Sequence, residues 1–182
     1  YIGIIHGRLM KFQNIIDTML YALKTDHIEI SRQTIDLYKE IELAVSVYYE
    51  LKVEAIINYH IAKGCEQALL DEIYFGRLLS NLIDNGIKYN KSYPPKIDID
   101  FGCENNNWIL TVSDNGIGIP EEKVKQIFKR FYRIEDKSTV KRTGFGLGLA
   151  FVKQVVDAYN GCVDVRSNKT GGTTFIIRLP IT

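Results

Sequence analysis

The sequence predicts an α+β fold: a two-layer α/β sandwich with one mixed sheet and helices on one face, preceded by a long N-terminal helix. Three observations carry this. Strand-like alternation and helix-like periodicity are interspersed over residues 33–182 without the strict strand–helix repeat of a parallel α/β fold. Cap- and turn-forming residues fall between those segments. Ahead of them, Ile2, Ile5, Leu9, Phe12, Ile16, Met19 and Leu23 alternate in steps of three and four, a heptad seam suited to a coiled coil or helical bundle.

In chain order, residues 1–24 are expected to be that helix, widened by Ile4, Ile15 and Leu20 toward a bundle. Residues 25–32 are polar and aperiodic and read as a linker. Thr34–Leu37 suits a short strand. Tyr38 to about Glu54 suits a helix with Ile41, Val45, Tyr48 and Tyr49 on one face. Ile56–Ile61 alternates as a strand, and Gln67–Leu70 reads as another. Asp71 is a good N-cap for a helix reaching about Tyr89. Lys96–Cys103 and Trp108–Ser113 alternate around Glu104-Asn105-Asn106-Asn107, a hairpin signal. Pro120-Glu121-Glu122 suits the first turn of a short helix. A helix from about Gly146 to Tyr159 and strands over Cys162–Arg166 and Thr173–Leu179 complete the domain.

Composition narrows the classes. Of 182 residues, 46% are hydrophobic and 25% charged, enough apolar content for a packed core. A net charge of +1 gives no footing for nucleic acid. The balance is uneven, however: residues 121–142 carry eight Lys or Arg against four Asp or Glu, a local excess that suits a polyphosphate. Cys65, Cys103 and Cys162 match no metal-site spacing, so free thiols in a reducing compartment are expected. No apolar run approaches a membrane span. The chain opens at Tyr1, so it is expected to be a piece of a longer protein.

Four segments bear on chemistry. Asn81, Asn85 and Lys88 lie at i, i+4 and i+7 on one helical stripe, with Tyr89 beside Asn85. Two carboxamides and an ammonium there offer a hard oxygen for Mg²⁺ and a point charge for phosphate, although the stripe alone also suits a solvated face. Asp114 ends a strand and precedes Gly116 and Gly118. A carboxylate only accepts hydrogen bonds, so it would take the exocyclic amine of adenine and reject the carbonyl of guanine; alone, Asp-Asn-Gly is equally an ordinary turn. Gly144, Gly146 and Gly148 lead into a helix whose first amides suit an anion. The basic stretch before them reads as a flap bearing Arg130, Arg133, Lys137, Lys141 and Arg142. Gly171-Gly172-Thr173-Thr174 is a small-residue strand entry.

Together these segments resemble the asparagine box and successive glycine boxes of the histidine-kinase ATP-binding domain, part of a superfamily shared with DNA gyrase, heat-shock chaperones and mismatch-repair ATPases. Phe128-Lys129-Arg130-Phe131-Tyr132-Arg133 resembles that family's phenylalanine box, and the resemblance covers about residues 33–182. It implies ATP and Mg²⁺ as ligands, Asn85 on the metal, Asn81 and Lys88 at the phosphates, Tyr89 lining the site and Asp114 reading adenine. It implies further contacts from Gly116, Gly118, Ile119, Phe131, Arg133, Arg142, Gly144, Phe145, Gly146, Leu147, Gly148, Leu149, Thr173 and Thr174, with residues 120–148 as the ATP lid. Gly86 stands where the family usually has alanine.

By the same resemblance, residues 1–24 are similar to the second helix of a dimerisation and phosphotransfer hairpin. His6 is followed by Gly7-Arg8-Leu9, not by an acid, arginine and proline, so no phosphoacceptor histidine is expected in this chain; His27 and His60 have no catalytic company either. The implied activity is transfer of the γ-phosphoryl to a hairpin histidine and relay to a response-regulator receiver domain. The implied setting is a homodimer joined through the hairpin, on the cytoplasmic side of a membrane-anchored parent. Two other readings are an ATP-driven clamp of the same superfamily and a degenerate ATP-binding regulatory module. The clamps use a glutamate on water where Asn81 stands, and an amide is no base.

Overall fold

The computed structural model describes residues 28–134, 145–167 and 171–181. The expected helix over residues 1–24, the start of the linker, Lys137, Lys141, Arg142 and Gly144 lie outside the described residues. Within them the elements are β1 (Gln33–Asp36), α1 (Leu37–Glu50), β2 (Ile56–Ile61), β3 (Gln67–Leu70), α2 (Glu72–Lys88), β4 (Lys96–Glu104), β5 (Asn107–Asp114), a 3-10 turn (Glu121–Lys123), α3 (Gly148–Ala158), β6 (Cys162–Ser167) and β7 (Thr173–Pro180). A mixed five-stranded sheet has the order β2-β4-β5-β7-β6, with β2 parallel to β4 and the other pairs antiparallel. This is the expected mixed sheet; β1 and β3 pair antiparallel with each other as an additional two-stranded sheet.

The alternation of β4, β5 and β7 builds the core. Ile97, Ile99 and Phe101, Trp108, Leu110 and Val112, and Phe175, Ile177 and Leu179 are buried on one face of the sheet. Against them α2 sets Leu78, Leu79, Leu82 and Ile83, each almost fully shielded, and each such burial contributes about 1.5–3 kcal/mol. The two central strands are joined by Asn105 and Asn106, both with positive φ (50° and 59°), the conformation of a type I′ hairpin that asparagine tolerates. Asp71 caps α2 by accepting from the Tyr74 N–H (3.0 Å), and Asp36 caps α1 through the Lys39 N–H (3.2 Å).

Three expectations are corrected. Helix α1 stops at Glu50 rather than about Glu54, closed by Lys52 N–H to Tyr49 O (3.0 Å) and Val53 N–H to Tyr48 O (2.9 Å) with Lys52 at φ 53°. This left-handed cap usually carries glycine, and a lysine there gave the sequence no stop signal. Tyr49, expected on the packed face, is exposed because that face is formed by Leu37, Ile41, Ala44, Val45 and Tyr48. Cys65 and Cys103, expected as free thiols, form a disulfide, while Cys162 is free and exposed. Parallel pairing sets Ile61 opposite Phe101, and the turn after β2, with Ala62 N–H bonded to Phe101 O (2.8 Å), returns Cys65 over the end of β4. Of the residues expected as a linker, 28–32 are described. Ile28 and Ile30 pack on the core, and the Ser31 N–H bonds to Asp71 Oδ2 (2.9 Å).

Candidate functional site

The site gathers at the end of β5. In register, Asp114 lies opposite Ile97 of β4, and Ser113 lies opposite Thr174 of β7. The Asp114 carboxylate is half-buried. Its Oδ1 accepts from the Gly116 N–H (2.8 Å) and the Thr173 N–H (3.1 Å). Among the described residues no donor reaches Oδ2. Burial holds the Asp114 carboxyl above the ordinary aspartate range, and the two backbone N–H groups oppose that rise. The result is a poorly solvated carboxylate with one oxygen oriented by the protein and the other available to a ligand donor.

Backbone crowds this corner so closely that side chains are excluded. Gly172 has φ 94°, and a Cβ there would meet Asp114 O at 2.0 Å. A Cβ on Gly116 would meet Tyr89 O at 2.5 Å, so the last residue after α2 leans directly on the turn after Asp114. Ile119 is anchored by its N–H to Ser167 Oγ (3.1 Å), and the Ser167 hydroxyl donates back to Ile119 O. Thr173 is buried beside Asp114. Thr174 turns to the other face of the sheet, where its hydroxyl pairs with Ser113 Oγ at 2.7 Å.

Helix α2 runs past this corner. The unusual Gly86 is buried, and a Cβ there would lie 2.4 Å from Ile97 Cδ1 and 3.1 Å from Asp114 Cβ. Its missing methyl is thus replaced by the Ile97 side chain, and the helix approaches Asp114 closely. The Asn85 carboxamide makes no hydrogen bond among the described residues. The Lys88 ammonium sits over the Tyr89 ring, 4.9 Å from its centroid. Asn81 is the exception on the stripe: its Nδ2 donates to Arg77 O (2.8 Å), and its Oδ1 abuts the start of α3, where a Cβ on Gly148 would fall 2.6 Å away.

Helix α3 begins after a buried Leu147 that supplies no side-chain cap, and among the described residues no side chain caps its first N–H groups. Gly146 has φ 70° and lies against the carbonyl of Tyr132, while the Phe131 N–H bonds to Gly146 O (2.9 Å). The phenylalanine-rich stretch and the glycine-rich stretch therefore meet at the base of the expected lid. Phe131, Arg133 and Phe145 are exposed there, Leu149 is partly buried against the core, and Gly118 sits at the turn before Ile119. The structure thus brings together Asp114, Gly116, Gly118, Ile119, Thr173, the α2 stripe and the start of α3. Sequence reasoning missed Arg77, whose guanidinium lies over the Phe151 ring at 4.5 Å and braces α2 on α3, and Ser167. Neither carries a spacing signal, because each acts across elements distant in sequence.

Residues 70–182 match the family model described as histidine kinase-, DNA gyrase B- and HSP90-like ATPase. The chain is 43% identical over 111 residues to the sensor protein CiaH of Streptococcus pneumoniae, covering 61% of this chain and 25% of that protein. It is 35% identical over 133 residues to the autoinducer 2 sensor kinase/phosphatase LuxQ of Vibrio harveyi, covering 71% of this chain and 15% of that protein. It therefore spans about a quarter or less of the length of these curated relatives. Its fold is similar to that of the histidine kinase ThkA solved in complex with the response regulator TrrA, with TM-score 0.73 and 21% identity over 100% of this chain and 51% of that one.

Proposed function

The chain belongs to the histidine kinase-, DNA gyrase B- and HSP90-like ATPase family, and on that footing we propose that it is the ATP-binding catalytic part of a sensor histidine kinase. The observation that favours this over an ATPase clamp is Asn81. Where the clamps place a water-activating glutamate, this chain has a carboxamide that is bonded to Arg77 O and packed against Gly148. It joins α2 to α3 and takes no proton from water. The complete set of glycine contacts around Asp114 argues against a degenerate module.

Asp114 Oδ2 accepts the exocyclic amine of adenine; guanine would set a carbonyl oxygen against it. Asn85 offers an unencumbered amide oxygen to Mg²⁺, and the donor set fits that hard cation. A bound Mg²⁺ would neutralise phosphate charge at the transferring end. Lys88 leaves the Tyr89 ring for the phosphates, and the open N–H groups of α3 face the same anion. An imidazole nitrogen of a hairpin histidine then bonds to the γ-phosphorus as the bond to the β–γ bridging oxygen breaks and ADP leaves. Positioning and charge stabilisation are all the protein need supply. The acceptor histidine, a homodimeric hairpin, a receiver-domain partner and a cytoplasmic placement under a membrane anchor are parts of the same proposal. The test is to incubate the chain with γ-labelled ATP and a separately prepared histidine hairpin from its parent. Acid-labile, base-stable label on the hairpin supports transfer to histidine. Release of inorganic phosphate without hairpin labelling would favour the clamp reading.

A further inference from the structure

We propose that Asn90 is a positioning residue that sets the separation between the two halves of the nucleotide site: the Asp114 corner and the metal- and phosphate-facing end of α2. The proposal rests on the nucleotide reading above. Asn90 follows α2 by two residues, and its whole side-chain amide is engaged. Its Oδ1 accepts from the Ser92 N–H (2.9 Å), which fixes the amide orientation. Its Nδ2 then donates to Asn115 Oδ1 (2.7 Å) and to Gly86 O (3.3 Å). Asn115, the residue after Asp114, is itself fixed, because its Oδ1 also accepts from the Lys96 N–H (2.8 Å) and its N–H reaches Lys96 O (3.2 Å). The Ile117 N–H bonds to Tyr89 O (3.0 Å), closing a second link between the same two segments.

One amide thus ties a carbonyl of α2, one residue past Gly86's neighbour Asn85, to the residue beside the adenine-reading carboxylate. Only an amide supplies two N–H hydrogens on one side and an acceptor on the other. Aspartate is nearly isosteric, yet it would set a carboxylate against both Asn115 Oδ1 and Gly86 O. Asp114 would keep its own support in either variant, since the Gly116 and Thr173 N–H groups and the β5 ladders do not involve Asn90.

The test compares two probes on the intact chain by calorimetry. Adenosine occupies only the adenine corner, whereas a non-hydrolysable Mg²⁺-ATP analogue spans both halves. From the loss of the two bridging hydrogen bonds to Asn115 and Gly86, Asn90→Ala should weaken the analogue about fivefold, and the oxygen–oxygen opposition in Asn90→Asp should weaken it by about twentyfold or more. Adenosine affinity should stay within about twofold in both variants, a split that a merely structural residue would not give. Equal weakening of both probes, or an unchanged affinity for the analogue, overturns the positioning role while the nucleotide reading stands. Failure of the unmutated chain to bind either probe overturns both. Should Asn90→Asp not fold, the alanine variant decides alone.

Discussion

Replacing Asp114 with asparagine should separate function from stability in opposite directions. The new side chain keeps an oxygen for the Gly116 and Thr173 N–H groups, so the turn survives. It places an NH₂ where Oδ2 stood, facing the adenine amine donor to donor. A charge-assisted hydrogen bond is lost and a donor is left opposed, together about 3 kcal/mol, or roughly a hundredfold in the dissociation constant for ADP. Stability should not fall. Burial raises the Asp114 pKa in the folded chain, so holding the carboxylate ionised costs the fold something at neutral pH. The wild type should therefore gain stability as pH drops from the folded pKa toward the unfolded value, and lose it as pH rises through that window. The asparagine variant should lack this slope and match or exceed the wild-type melting temperature at neutral pH. Calorimetry with ADP and thermal melts across pH read both effects. A variant that binds ADP as well as wild type, or melts lower at every pH, would refute the assignment of Oδ2 as a desolvated adenine acceptor.

Other perturbations probe the remaining parts. Asn85→Ala should abolish the Mg²⁺ dependence of ATP binding and cut phosphoryl transfer by about tenfold or more with little change in melting; normal transfer to a hairpin would exclude the metal role. Gly148→Ala forces Asn81 from its seat, where the new methyl would lie 2.6 Å from Oδ1, and should weaken ATP binding about tenfold. Combined with Asn81→Ala it should cost no more than the worse single change, and simple additivity would show that the two residues do not act as a unit. Cys103→Ser, or reduction, opens a loop of sequence separation 38 and should lower unfolding free energy by about 3–4 kcal/mol in urea titration. Nucleotide affinity should be unaffected, because Cys103 lies at the far end of β4 from Ile97 and Asp114; an equal urea midpoint with and without reductant would contradict the linkage.

Much of this fold was legible because its signals are local. Alternation over Lys96–Cys103 and Trp108–Ser113 marked the central strands, and Asp71 marked the start of α2 through a cap the structure retains. Signals failed where tertiary context decides. Lys52 takes a left-handed conformation that usually belongs to glycine, and the disulfide joins residues brought together only by parallel pairing of β2 and β4. The site divides in the same way. Asp114 with its glycines was readable because tight backbone approach demands glycine at fixed offsets. The seat of Asn81 on Gly148 and the Asn90–Asn115 bridge were not, since nothing in their spacing encodes which surfaces meet.

The most direct test of the whole account is a titration of the unmutated chain with ATP and with GTP in Mg²⁺ buffer. A carboxylate whose open oxygen reads the six-position of the purine should bind ATP at least about tenfold more tightly than GTP, the worth of one good hydrogen bond against an oxygen–oxygen contact. Equal affinity for the two nucleotides, or preference for GTP, would contradict the placement of adenine at Asp114 and the nucleotide site built around it.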